Sequence, residues 1–210
     1  METITSRKNS RVQALRALGR DKAYRREQGL FLSDGEKLLS EALANGADIA
    51  EIYLRGAKPA GNMPEVPVYS LSEDVFDYAS PLEHSPGPLF TVRAKPLPER
   101  VRPERVIVLE NVQDPGNVGT VLRTAAALGT ELVVLLGDCA DPYNPKTVRA
   151  AMGALFRQRL WETDLSTLCA KLTANIDLGN EAWTPIGKMT NTYSDYVAFG
   201  GVFDGDGHTI

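Results

Sequence analysis

Apolar residues in the first half of the chain alternate between helical and extended spacing. Val12, Leu15 and Leu18 share one helical face, and Asn9 or Ser10 can cap that helix. A strand is predicted after Gly29, followed by a helix, two strands, a short helix and a further strand. These elements occupy residues 30–33, 36–45, 49–54, 66–71, 72–78 and 89–94. The first half therefore predicts a small α/β unit.

Beyond residue 105 the pattern becomes more regular. Residues 106–109 and 132–136 are unbroken apolar runs, as expected of parallel strands that are covered on both faces. A helix between them ends near Gly129, and Asn144 with Pro145 opens another that extends to about residue 154. Residues 155–161 are a possible strand, and Asp164 can cap a helix that runs to about residue 172. This alternation predicts an α/β domain with a mainly parallel sheet.

The best linker lies between these two patterns. Residues 95–105 read KPLPERVRPER, with three prolines among charged side chains, and proline disfavours helix at the position before it. The predicted division is a first domain over 1–97, a linker over 98–105 and a second domain over 106–210. No apolar run reaches the roughly 20 residues that span a bilayer, and the N-terminus lacks a secretory h-region. A cytoplasmic protein without a membrane segment is expected.

Charge is unevenly distributed. The chain carries −4 in total, but residues 1–30 carry +5 and the remainder −9. This asymmetry indicates a basic arm that binds nucleic acid, although a solvated helix surface explains it equally well. The candidate RNA contacts are Arg7, Lys8, Arg11, Arg25 and Arg26, with Asn117 in the second domain.

The cysteines and histidines offer little chemistry. Cys139 and Cys169 lie thirty residues apart without metal-binding spacing, so both are expected to be small buried or half-buried residues, and no metal site is predicted. Neither histidine, His84 or His208, lies in a nucleophile motif. These features disfavour a zinc protein and a Ser/His/Asp hydrolase.

The stretch from Leu109 to Gly129 is the most informative. Ligands of open α/β sheets bind at the carboxyl ends of strands. Four polar residues follow the predicted strand at that position: Asn111, Gln113, Asp114 and Asn117. Arg123 lies further along the helix, either as an ion-paired structural arginine or as a guanidinium that meets a phosphate. Neither a P-loop nor a GxGxxG dinucleotide motif is present.

The same residues resemble a known family. Asn111-x-Gln113-x-Pro115-x-Asn117-x-Gly119, followed by Arg123, is similar to the first motif of the SpoU/TrmH family of RNA 2′-O-methyltransferases. Residues 144–160 (NPKTVRAAMGALFRQRL) resemble the second motif. Residues 6–18 and 24–43 resemble the substrate-binding domain that many members carry. The resemblance covers roughly residues 5–160, in the expected order.

The resemblance implies a fold, an activity and partners. Expected are a trefoil-knotted parallel-sheet methyltransferase domain, which binds S-adenosylmethionine in the knot and works as a homodimer, and a preceding small α/β RNA-binding domain. Arg123 takes the role of the catalytic arginine, and Asn111 helps to shape the site. The implied substrate is a ribose 2′-hydroxyl of ribosomal or transfer RNA.

The family's third motif is matched least well. Gly179, Asn180 and Glu181 match its start, but Ala182 replaces the next glycine. Ile186 lies in a segment similar to the motif's IPM, and these four matching residues are the candidate cofactor contacts. Either the motif is compressed or the match is accidental. The alternative to the enzyme is therefore a non-catalytic RNA-binding protein, and a third hypothesis is an α/β enzyme with a small-molecule substrate.

Overall fold

The computed structural model describes residues 2–56, 65–95 and 103–164, together with the backbone of four short strands further on. The first half contains β1 (Glu2–Ile4), α1 (Ser10–Arg20), α2 (Lys22–Gln28), β2 (Leu30–Asp34), α3 (Glu36–Ala44), β3 (Ile49–Arg55), β4 (Val68–Leu71), α4 (Glu73–Ala79) and β5 (Leu89–Arg93). The second half contains β6 (Val106–Glu110), α5 (Pro115–Ala127), β7 (Leu132–Leu136), α6 (Pro145–Ala151), a 3₁₀ helix (Ala154–Phe156) and β8 (Arg159–Thr163). The short strands are β9 (Cys169–Lys171), β10 (Gly187–Met189), β11 (Tyr196–Ala198) and β12 (Val202–Asp204).

The first half is built on a mixed five-stranded sheet. The strand order is β1-β4-β3-β5-β2, in which β4 pairs in parallel with β1 and β3, while β5 is antiparallel to β2 and β3. One face packs on α1 and α4 through a cluster that includes the fully buried Val12 and Phe76. The predicted apolar face of α1 is thereby confirmed, since Val12, Leu15 and Leu18 are all buried.

The second half contains a parallel sheet of three strands in the order β6-β7-β8. All five residues of β7 are buried, as its continuous apolar run predicts, because a neighbour lies on each side. The prediction that β6 is covered on both faces is wrong. Val106 and Val108 are 43% and 48% exposed, because alternate residues of a strand point to opposite faces and these two side chains lie on the more exposed face of β6.

Several element boundaries differ from the predictions. Helix α6 ends at Ala151, because Met152 and Gly153 both take left-handed backbone conformations, with φ of 49° and 89°. Strand β8 begins at Arg159 and not at residue 155, since a 3₁₀ helix comes first. The prediction of a helix after Asp164 is wrong at Cys169–Lys171, which form a strand. Residues 165–168 of that predicted helix lie outside the described part. Strand β1 and helix α2 were not predicted.

The two halves share one apolar core. A single cluster joins α3 and strands of the first sheet to α5, α6 and β7. At its centre the ring of Phe31 stacks on Tyr143 with centroids 4.9 Å apart, and Phe156 lies 6.3 Å from both Phe31 and Phe90. The second half thus covers the face of the first sheet that α1 and α4 leave open. Within the described residues, no helix has the length and apolarity needed to cross a bilayer.

Candidate functional site

The carboxyl ends of β6 and β7 are held together by Asn111. This residue follows β6 with a left-handed φ of 53°, and its backbone N–H donates to the Leu136 carbonyl at 3.1 Å. Its Oδ1 accepts from the backbone N–H of Asp138 at 2.8 Å. A side chain on Gly137 would not fit, because a Cβ there would lie 2.6 Å from that same Oδ1. Asn111 thus fixes the loop after β7, while its Nδ2 has no hydrogen-bond partner among the described residues.

Further contacts join the same two loops. Gln113 donates through Nε2 to Oδ2 of Asp138 at 2.9 Å, and the Ala140 N–H donates to the Val112 carbonyl at 2.9 Å. Cys139 is 8% exposed, and its Sγ lies 3.2 Å from the Leu109 carbonyl. The expectation of a small buried cysteine is confirmed for Cys139, whereas the side chain of Cys169 lies outside the described residues. This edge of the sheet is consequently a rigid platform.

Helix α5 begins directly beside this platform. Asp114 caps it by accepting the Asn117 backbone N–H at 2.7 Å, and Pro115 occupies the first helical position. The side chain of Asn117 is exposed and therefore accessible, and its contact with RNA stays a prediction. Gly119 lies where α5 meets α6, and a Cβ there would come within 2.5 Å of Ala150 Cβ and 2.7 Å of the Thr147 carbonyl oxygen. The glycine of the motif therefore permits close helix packing.

Arg123 is exposed on α5. The helix buries Val118, Gly119, Leu122 and Ala125, and Arg123 falls on the opposite side with Thr120 at helical spacing. Its guanidinium makes no hydrogen bond or ion pair with any residue in the described ranges. Within the described ranges, no contact supports an ion-paired structural arginine. Five N–H donors remain available for an anionic ligand.

Arg25 has a structural role in place of the predicted RNA contact. Its side chain is 4% exposed, and it donates through Nε and Nη2 to Oδ2 of Asp141 at 2.9 and 2.5 Å. Nη1 donates to the Leu18 carbonyl at 2.7 Å. The expectation that Arg25 contacts RNA is wrong, since its donors already have partners inside the protein. Asp141 belongs to the loop between β7 and α6, so this pair ties the basic first half to the candidate site.

The other basic residues of the first half remain accessible. Arg7 lies 3.6 Å from Asp74 and 5.1 Å from the Tyr78 ring centroid, with 54% of its side chain exposed. Arg11 pairs with Glu51 and lies 4.3 Å from the ring centroid of Tyr69. Lys8 is exposed, and Arg26 is 60% exposed although it reaches Glu162 at 2.5 Å. Exposed pairs such as those of Arg7 and Arg26 hold their partners weakly, so these two cations and Lys8 stay available to phosphates, whereas Arg11 lies in a partly buried pair.

The predicted cofactor contacts cannot be placed on this site. Gly179, Asn180, Glu181 and Ile186 all lie outside the described residues. Among the described residues, no group of three His, Cys, Asp or Glu side chains could hold a metal ion.

Sequence analysis missed Asp138 and Asp141. The Asp138 carboxylate accepts a hydrogen bond from Gln113 Nε2, and the Asp138 backbone N–H donates to Asn111 Oδ1. It follows β7 by two positions, so the rule applied to the end of β6 would also have found it. The role of Asp141 depends on a residue more than a hundred positions away, and no local signal points to it.

Comparisons with known proteins match both halves. A sequence profile of the SpoU rRNA methylase family matches residues 104–200, and one of the MRM3-like substrate-binding domain matches residues 9–89. The chain is 34% identical over 176 residues to the 23S rRNA (guanosine(2553)-2′-O)-methyltransferase RlmP of Bacillus subtilis, which covers 83% of this chain and 70% of that protein. The chain belongs to the SpoU methylase family.

The resemblance drawn from the motifs is thereby confirmed. This SpoU family member is also 30% identical to the mitochondrial rRNA methyltransferase 3 of mouse over 73% of the chain, but spans only 41% of the length of that relative. The AdoMet-bound rRNA methyltransferase of Sinorhizobium meliloti superposes with a TM-score of 0.66 over 96% of this chain and 79% of that one, at 23% identity. The α/β architecture with a parallel sheet is thus that of SpoU methyltransferases.

Proposed function

We propose that this SpoU family member transfers a methyl group from S-adenosylmethionine to a ribose 2′-hydroxyl of ribosomal RNA. The observation that carries the proposal is Arg123, an exposed guanidinium without a partner among the described residues, on the helix that contains the end of the first motif. The name of the Bacillus subtilis relative specifies 2′-O methylation of 23S rRNA, and the Sinorhizobium meliloti structure contains AdoMet.

The chemistry assigned to Arg123 is electrostatic. A guanidinium is a donor only and cannot take the proton of a hydroxyl group. It can hold a substrate phosphate through two parallel hydrogen bonds and stabilise the 2′-oxyanion as the proton leaves. Most of the rate enhancement then comes from holding that oxygen in line with the methyl group. The Nδ2 donor of Asn111, which has no partner in the described part of the chain, is a second polar group at the carboxyl edge of the sheet.

The described residues supply one side of a cofactor site. S-adenosylmethionine provides an electrophilic methyl group on a sulfonium. The loops at the carboxyl ends of β6 and β7 lie where α/β sheets bind nucleotide-like ligands, and Asn111 packs against left-handed Gly137 to join them. Gly179, Asn180, Glu181 and Ile186 are proposed to form the other side. The trefoil knot, the homodimer and the cytoplasmic location are likewise part of the proposal.

Cofactor binding and methyl transfer test the proposal together. Isothermal titration of the full chain with S-adenosylmethionine should give saturable binding. Transfer of the tritiated methyl group from labelled cofactor to unmethylated 23S rRNA should yield a ribonuclease-resistant 2′-O-methylated dinucleotide. RNA binding without either signal would establish the non-catalytic alternative, and the absence of RNA binding would favour a small-molecule substrate.

Arg123→Ala tests the residue assignment. We expect a loss of methyl transfer of roughly 10²- to 10³-fold with little change in cofactor affinity, because the guanidinium acts on developing charge. Arg105→Ala is the matched control, since Arg105 is also an exposed arginine of the second half and lies at the opposite end of the sheet. Wild-type turnover by Arg123→Ala would show that this residue is not catalytic.

A further inference from the structure

A basic cleft lies at the junction of the two halves, away from the first motif. This cavity, called the seam cleft, has a volume of about 300 Å³. Among the described residues, four cations line it, namely Arg93, Lys95, Arg157 and Arg159, and no acidic side chain does. In a chain of net charge −4, four lining cations without a lining acid mark a local site for anions.

The cations of the seam cleft are only weakly engaged. Arg93 lies 3.5 Å from Asp48 and Arg157 lies 3.7 Å from Glu41. Each of the four side chains in these two ion pairs is at least 39% exposed. Exposed pairs with single long contacts contribute little, so a phosphate can displace them. Arg159 is exposed and has no partner among the described residues, whereas Lys95 donates to the Phe156 carbonyl at 2.9 Å.

Aromatic and neutral polar groups complete the cleft. Tyr143 lines it with a partly exposed side chain, whereas the ring of Phe156 on the same wall belongs to the buried core. The Tyr143 hydroxyl has no hydrogen-bond partner in the described part of the chain. Burial, with the nearby carboxylates of Glu162 and Asp141, raises the pKa of Tyr143 to about 12, so the hydroxyl remains a donor at neutral pH. A cluster of cations beside one partly exposed tyrosine ring suits the phosphates and bases of single-stranded nucleic acid.

The cleft is distinct from the edge of the sheet that carries the first motif. Arg157 lies two residues before β8 and Arg159 begins it, so both lie at the amino end of that strand. Asn111 follows the carboxyl end of β6, and the three strands are parallel. Five-residue strands separate their two ends by about 13 Å. A ligand that reaches both regions must therefore extend over several nucleotides.

We propose that the seam cleft binds backbone phosphates of the substrate RNA, as a second contact region that neither the first motif nor the basic arm supplies. The proposal names a partner surface for the function proposed above and rests on that function. RNA is favoured over a free nucleotide because the cations are exposed and spread over both halves, an arrangement suited to several phosphates in a row. Such a contact makes affinity fall as salt rises.

The test uses Arg157→Gln/Arg159→Gln in the full chain, with Lys37→Gln/Arg105→Gln as a control of equal charge that leaves the cleft intact. Affinity for a labelled 20-nucleotide oligoribonucleotide is measured between 50 and 300 mM KCl. We expect the cleft variant to bind on the order of 10-fold more weakly at low salt, with a slope of log K against log salt reduced by about 1.4 for two lost phosphate contacts. The control should retain the wild-type slope. Thermal melting checks that both variants fold.

Competition separates the possible sources of phosphate. AMP and inorganic tripolyphosphate are added to the wild-type complex. If the cleft binds RNA, we expect either compound to displace the oligoribonucleotide only at concentrations that raise the ionic strength as much as displacing KCl does. Tight displacement by AMP would instead identify a free-nucleotide site and overturn the proposal, as would a wild-type salt slope in the cleft variant. Methyl transfer to 23S rRNA is measured in parallel. If the wild type binds RNA through the cleft but transfers no methyl group, the proposed function fails while the cleft assignment stands.

Discussion

At the level of single residues, burial decides what each arginine does. Arg25 and Arg123 are indistinguishable by residue type, yet one is enclosed with three hydrogen bonds and the other has no partner among the described residues. A buried guanidinium must be paired because the desolvation of an unpaired charge is very costly. An exposed guanidinium stays hydrated without a protein partner and can bind a ligand. Sequence analysis treated Arg25 as an RNA contact because its local neighbourhood is basic.

Breaking the Arg25–Asp141 pair should be strongly destabilising. Arg25→Met leaves the carboxylate of Asp141 without its partner in a side chain that is only 9% exposed, and we expect a loss of about 3–5 kcal/mol in the free energy of unfolding. Urea denaturation measures this loss. Arg26→Met is the matched control, because the Arg26–Glu162 pair is largely exposed and should contribute about 1 kcal/mol or less. Equal losses in the two variants would contradict the assigned role.

Asp34 should make stability depend on pH. Burial raises the pKa of this carboxyl group, although it accepts hydrogen bonds from Ser85 and Ser80. A raised folded-state pKa means that the native protein binds more protons than the unfolded chain between the two pKa values. Stability from this group is therefore present at low pH and is lost as pH rises through the folded-state pKa. Urea unfolding between pH 3.5 and 7 should show the wild type losing stability relative to Asp34→Asn, whereas a constant difference would rule this out.

At the level of elements, helix packing explains a glycine of the motif. Gly119 lets α5 approach α6, and the atoms that a Cβ would meet are the Ala150 Cβ and backbone, which cannot move aside cheaply. This requirement arises between two helices and is invisible in the spacing of either one. The caps of those helices, by contrast, were predictable because Asp114 and Asn144 bond to backbone within a few residues.

Gly119→Ala should therefore destabilise the protein although alanine favours helix. The gain in helix propensity is about 1 kcal/mol, and we expect overpacking to outweigh it and give a net loss of about 1–2 kcal/mol. Gly19→Ala in α1 is the matched control, because its Cβ would meet nothing closer than 3.8 Å and should be neutral or stabilising. Thermal and urea unfolding of both variants provide the comparison. Stabilisation by Gly119→Ala would show that the helices can separate without loss.

At the level of the whole molecule, the two predicted domains unite around shared aromatic rings. Phe156 lies within the second motif, but it packs beside Phe31 and Phe90 of the first half. The ion pairs of Arg25 and Arg26 cross the same boundary. A substrate-binding half joined this firmly to the methyltransferase half can present RNA to the candidate site in one orientation.

The shared core predicts cooperative unfolding. Tryptophan fluorescence reports on the second half, where both tryptophans lie, and hydrogen exchange of β3 amides reports on the first. We expect the two probes to give one coincident urea transition, and Phe156→Ala to shift both by about 3–5 kcal/mol. Two separate transitions would mean that the halves fold independently in spite of their contact.

The sequence by itself determined the elements, the motif order and the family. Periodicity located most helices and strands, because burial of one face imposes a repeat that local sequence records. It also placed Asn111 and Arg123 in the candidate site through the rule on strand ends and the family resemblance. Boundaries that depend on a left-handed residue, such as the end of α6 at Met152, were predicted less well.

Only the tertiary structure decided which charges are free and which are used. It assigned Arg25 to a buried pair, showed Arg123 exposed and without a partner among the described residues, and gathered Arg93, Lys95, Arg157 and Arg159 from both halves around one cleft. It also placed β6 at the edge of its sheet with one face open. The physical reason is the range of the interactions: helix periods and caps act over a few residues, whereas ion pairing and burial depend on segments brought together from distant positions.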